Sequence, residues 1–125
     1  VVDGTVYVGS WDKKVHALDA ATGTPRWTHT TGHWVDSSPA VVDGTVYVGS
    51  WDKKVHALDA ATGTPRWTHT TGDWVESSPA VVEGTVYIGS NDKKVYALDA
   101  ATGTPRWTHT TGDWVKSSPA VVDGT

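Results

Sequence analysis

An all-β propeller is the fold this sequence predicts, and three observations carry that prediction. The chain repeats itself every 40 residues without a gap. Each repeat offers four short stretches of strand-forming residues punctuated by turn signals. No stretch has the length or apolar spacing of a helix; the helix-friendly run Ala57–Ala61 ends at once in Thr62-Gly63. A ring of four-stranded blades gives every repeat the same role, whereas a sandwich needs unlike roles for successive strands. A parallel β-helix uses fewer strands per turn. The 125 residues read as one domain of three blades, 1–40, 41–80 and 81–120, with 121–125 starting a fourth repeat.

The second unit shows the elements in order. Asp43-Gly44 is a hairpin turn signal, repeated as Glu83-Gly84 and Asp123-Gly124. Thr45–Ser50 follows as a strand. Trp51-Asp52-Lys53 links it to a second strand, Lys54–Asp59. Asp59–Thr64 is a turn, where Asp and Thr side chains bond to nearby backbone and Gly63 permits positive φ. Arg66–Thr71 is the third strand, with Pro65 at its start, where no ladder donor is needed. Ser78–Val82 is the fourth. Apolar residues on both sides of these strands suit sheets buried on both faces.

Units one and two differ at two positions, and units two and three at five. Natural repeats drift further, so near-identity points to recent amplification or to engineering. Copying also explains eight tryptophans beside no phenylalanine and no methionine. Net charge is −4, with no basic footprint for nucleic acid or an anionic membrane surface. There is no cysteine, hence no disulfide or thiolate chemistry. No segment approaches the length of a membrane span.

The run Ala57-Leu58-Asp59-Ala60-Ala61-Thr62-Gly63-Thr64-Pro65-Arg66-Trp67 recurs at 17–27 and 97–107. With Ser78–Ser90 upstream of its third copy, it resembles the PQQ-like repeats of quinoprotein alcohol dehydrogenases and of BamB-like outer-membrane assembly scaffolds. The resemblance covers the whole chain. WD40 repeats share the period, but their Gly-His and terminal Trp-Asp placements are missing. The PQQ-like resemblance implies that Trp27, Trp67 and Trp107 dock between neighbouring blades. It implies that Asp19, Thr22 and Gly23, with Asp59, Thr62, Gly63, Asp99, Thr102 and Gly103, brace the turns. It also implies a periplasmic or extracellular setting for a natural parent, whereas an engineered chain would be expressed in the cytoplasm.

In such blades Ser-Pro-Ala-Val-Val is the innermost strand. The chain opens at Val1-Val2 and closes with a further copy of that strand, Ser118, Pro119, Ala120, Val121 and Val122. Deficit and surplus match, so closure between chains is expected, each C-terminal strand completing the next chain's first blade. The expected partner is therefore the chain itself. Blades shaped for an eightfold ring subtend about 45°, which slightly favours a trimer of nine blades; the common size of propellers favours a dimer of six.

Candidate chemistry is sparse. His16, His56, His29, His69 and His109 have no zinc spacing, their 40-residue equivalents lie in different blades, and they read as structural or solvent-facing. Asp19, Asp59 and Asp99 lack a calcium loop. The Ser-Ser pairs carry no nucleophile elbow and read as polar starts to the inner strands, placed to line a central channel. Trp34, Trp74 and Trp114 read as rim packing rather than a ligand ring. No metal, cofactor or catalytic residue is expected. The function expected is a structural, self-assembling, non-catalytic propeller module. The alternative is a ligand- or protein-binding scaffold, and a fragment of a quinone-dependent dehydrogenase ranks below both.

Overall fold

The computed structural model describes residues 4–115 and Pro119. Eleven strands form three antiparallel sheets, with no helix among the described residues. The first sheet is β1 (Thr5–Gly9), β2 (Lys14–Asp19) and β3 (Pro25–Thr30). The second is β4 (Ala40–Val42), β5 (Thr45–Gly49), β6 (Lys54–Asp59) and β7 (Pro65–Thr70). The third is β8 (Ala80–Val82), β9 (Thr85–Ser90), β10 (Lys94–Asp99) and β11 (Pro105–Thr110). Strands are neighbours in chain order within every sheet, the plain meander of a propeller blade.

Local chemistry sets the boundaries. At the β4–β5 turn, Asp43 has φ 50° and Gly44 φ 74°. Two successive left-handed residues twist the chain in the sense a two-residue hairpin needs. The sequence predicts Arg66–Thr71 for the third strand, and Pro65–Thr70 is observed. Thr71 lies just beyond the strand, although its N–H still donates to the Lys53 carbonyl, 2.7 Å away. Pro65 lies opposite Leu58 where the register slips after Ala57, so its missing N–H costs no ladder bond. The inner strands were expected from the serine onward but contain only three residues. Pro79 has no donor to offer, and Ser77 is turned inward: its hydroxyl accepts from the Gly89 N–H at 3.2 Å. Ser37 does the same for Gly49 at 3.1 Å. Ser37 and Ser77 are thus buried supports for backbone, which corrects the expectation that they line a channel.

Of the C-terminal closing strand, Ser118, Ala120, Val121 and Val122 lie outside the described residues. Pro119 is half-buried and belongs to none of the eleven strands.

The core is not inside any sheet but between sheets. Val46, Val48 and Leu58 of the second sheet pack with Val15 and Val35 of the first unit, flanked by Tyr7 and Trp27. The other face of the second sheet, with Tyr47, Val55 and Ala57, meets Val86, Ile88 and Leu98 of the third. Strand alternation delivers these two sets to opposite faces. Gly49 sits so close under Val75 that any Cβ there would overlap the valine side chain. That contact seats the loop after β7 on the sheet.

Candidate functional site

The most elaborated region is the joint between blades, and it is built from the turn after each second strand upward. The Asp59 carboxylate accepts from the N–H groups of Ala61 (2.8 Å) and Thr62 (3.2 Å), and its other oxygen accepts from Arg66 (2.8 Å). Thr62 Oγ1 accepts from the Thr64 N–H at 3.3 Å, and the Gly63 N–H donates to the Asp59 carbonyl at 2.8 Å. Asp19 with Thr22 and Gly23, and Asp99 with Thr102 and Gly103, repeat this geometry. The Arg26 hydrogen bond, helped by the Ala21 and Thr22 N–H groups, holds the Asp19 carboxyl down to about 2. Arg66 and Arg106 lower Asp59 and Asp99 in the same way. Each arginine also reaches back to a first-strand threonine, Arg66 to Thr45 at 2.6 Å. Sequence reasoning placed the arginine in the motif but gave it no part in the brace.

The braced turn presents its backbone to the preceding blade. The Ala60 carbonyl accepts from the Trp27 indole at 2.9 Å and from the Tyr7 hydroxyl at 3.1 Å. The Ala100 carbonyl accepts from Trp67 and Tyr47 at the same two distances. The Trp27 ring lies over Gly63: a Cβ there would stand 2.5 Å from it. Trp67 covers Gly103 likewise. Gly63 and Gly103 therefore serve twice, through φ of 76° and through the ring's close approach. Trp107 lies over no neighbouring turn among the described residues and is 49% exposed.

A second set of bonds crosses the same joint further along the strands. Asp52 accepts from the Gly32 N–H of the previous unit at 3.1 Å and pairs with His56 at 2.9 Å. Burial pushes the Asp52 carboxyl up, but His56 and the N–H groups of Gly32 and Lys54 outweigh it and hold it below the usual range. In the third unit Tyr96 replaces the histidine, and its hydroxyl donates to Asp92, which accepts from Gly72 at 3.0 Å. The exchange preserves a donor to the bridging aspartate. The sequence shows Asp52 as a turn residue but not this bridge, because its two ends lie 20 residues apart in different units.

Tryptophans also line one rim. Trp11 stacks on Trp34 at 4.5 Å and Trp51 on Trp74 at 4.0 Å, each pair within 5° of parallel. Trp34 and Trp51 join the pairs at 4.9 Å. The expected rim packing of Trp34 and Trp74 is thus largely against tryptophans of the first hairpin loop. Among the described residues no three His, Cys, Asp or Glu side chains gather as a metal site.

The family model described as outer membrane protein assembly factor BamB matches residues 1–73 and again 51–125. The crystal structure of BamB from Moraxella catarrhalis is 30% identical with a TM-score of 0.85, covering 96% of this chain and 38% of that one. Quinohemoprotein alcohol dehydrogenase ADHIIG from Pseudomonas putida HK5 is 32% identical with a TM-score of 0.79, covering 88% of this chain and 19% of that one. The corresponding enzyme from Comamonas testosteroni is 34% identical with a TM-score of 0.78, covering 88% and 20%. No curated protein sequence matches. The chain spans less than two fifths of any of these three structures. Repeated turn motif, four-stranded blades and matching structures together place this chain in the BamB family of PQQ-like β-propeller repeats.

Proposed function

We propose that this chain is a structural propeller module whose activity is self-assembly, with no catalytic step of its own. The observation that carries this reading is the sameness of its two joints. Trp27 to Ala60 and Trp67 to Ala100 are both 2.9 Å, and Gly63 and Gly103 meet their rings at the same 2.5 Å. A joint that repeats identically by translation through the sequence propagates, as in other repeat proteins. Catalysis by contrast needs one asymmetric cluster of unlike groups, and near-identical units supply the same groups at every position.

Native mass spectrometry over a concentration series tests the reading. A species at two or three times 13.3 kDa supports it, with six or nine blades respectively. A folded monomer at every concentration overturns it. A binding scaffold is the second reading, favoured by the 60% exposed Trp11 at the end of the tryptophan file. A glycan and peptide screen that quenches tryptophan fluorescence would support it.

A further inference from the structure

We propose that the outer face of the third sheet docks onto the outer face of the first sheet of a second copy of this chain, rebuilding the joint seen between its own blades. The proposal rests on the self-assembly reading and adds the surface and its contacts.

Each half of the joint is present at one end of the molecule. The Ala60 and Ala100 carbonyls each accept from one tyrosine and one tryptophan, whereas the equivalent Ala20 carbonyl has no such donor among the described residues. Tyr87 and Trp107 are the matching donors, and neither has such an acceptor among the described residues. They tilt against each other at 6.1 Å, as Tyr47 and Trp67 do at 6.0 Å, so the donor pair is already arranged. Gly63 and Gly103 lie under indole rings, but nothing lies within 4 Å of a Cβ at Gly23. The socket therefore exists without its knob.

The bridging aspartates show the same asymmetry. The Asp52 side chain is 9% exposed and holds the Gly32 N–H. Asp12, its equivalent, is 48% exposed, and among the described residues it pairs with His16 and with backbone and Ser10 groups of its own hairpin. The Gly112 N–H, equivalent to Gly32 and Gly72, meets no carboxylate among the described residues. Apolar surface agrees: Val48 and Ile88 are fully buried in joints, while Val8 is 43% exposed.

A second copy is the occupant because it carries both sets in register. The donors at one end are Tyr87, Trp107 and Gly112, and the acceptors at the other are Ala20 and Asp12. The contact is heterologous, so it generates rings where the rotation closes and open files where it does not.

Two variants test this. Gly23→Asn keeps the left-handed turn, which Asn tolerates, and puts a side chain where the partner's Trp107 ring would lie. Trp107→Ala removes the knob. Urea unfolding checks that each remains folded; should Gly23→Asn not fold, Val8→Lys blocks the same face. Native mass spectrometry is expected to show an oligomeric wild type and each variant weakened about thirtyfold or more, the loss typical of a central aromatic anchor. Mixed, the two variants are expected to form a one-to-one pair that grows no further, since one retains the knob and the other the socket. Wild-type-like assembly by both variants would overturn this surface and leave self-assembly standing. A monomeric wild type at all concentrations would overturn both.

Discussion

At the scale of the residue, the turn aspartate ties its own loop to the strand that follows it. Asp59→Ala removes two backbone acceptor contacts and the Arg66 pair. The expected result is a small drop in the urea midpoint, since exposed turn bonds contribute modestly. Asp59→Asn, which keeps one carbonyl oxygen, should recover about half; urea midpoints check both. The His56 position offers a sharper contrast. His56→Tyr is expected to cost under about 1 kcal/mol, because Tyr96 already fills the equivalent place against Asp92. His56→Ala leaves the buried Asp52 carboxylate short of a donor and should cost about 1–3 kcal/mol. The two glycine turns separate strain from collision. Gly44→Ala meets nothing within 4 Å and suffers only the cost of a Cβ at φ 74°, about 1 kcal/mol. Gly63→Ala adds a clash with the Trp27 ring and should cost about 2–4 kcal/mol. Thermal unfolding of the pair distinguishes them.

At the scale of the element, most of each blade was legible and its edges were not. Hairpin signals such as Asp43-Gly44 are local, so the turn follows from the residues themselves. The third strand ends at Thr70 although the Thr71 N–H still reaches Lys53 across the hairpin, an edge that no local pattern marks. The shortness of the inner strand follows from Ser37 and Ser77 being drawn under neighbouring glycines. Lys13, Lys53 and Lys93 all adopt φ of 71°, although nothing about lysine predicts a left-handed residue. The flanking aspartate explains it, since Asp52 accepts from the Lys54 N–H at 3.0 Å and closes the turn. The third strands carry His29 and His69, both lowered below the ordinary 6.5 by burial. A depressed folded value means that their contribution is complete above pH 6.5 and is lost as pH falls through it. Asp19, Asp59 and Asp99 are depressed too, and theirs is lost only at lower pH, below the ordinary carboxylate range. Stability is therefore expected to fall as pH drops below about 6.5, to fall again below the ordinary carboxylate range, and to fall above about pH 10, where the raised Tyr47 and Tyr96 hydroxyls resist the ionisation that the unfolded chain allows. Urea midpoints across that range read each step, and His29→Gln with His69→Gln should flatten the first alone.

At the scale of the whole molecule, stability resides between blades, so damage should follow the joint. Trp67→Ala opens the joint of the second and third blades and is expected to cost about 3–5 kcal/mol, whereas Trp107→Ala should cost the single chain far less. Denaturant unfolding of the two variants at low protein concentration makes the comparison. The sequence by itself determined the period, the four strands per unit, the turn positions and the family likeness. These depend on residue pattern and local backbone preference, which are written along the chain. Only the tertiary structure decided that the core lies between sheets, that Trp27 reaches Ala60 and Gly63, and that Asp52 bridges to Gly32. Those contacts join residues 20 to 36 positions apart, in different sheets. Their existence depends on how one blade is rotated against the next, and alternation along a strand carries no information about that rotation.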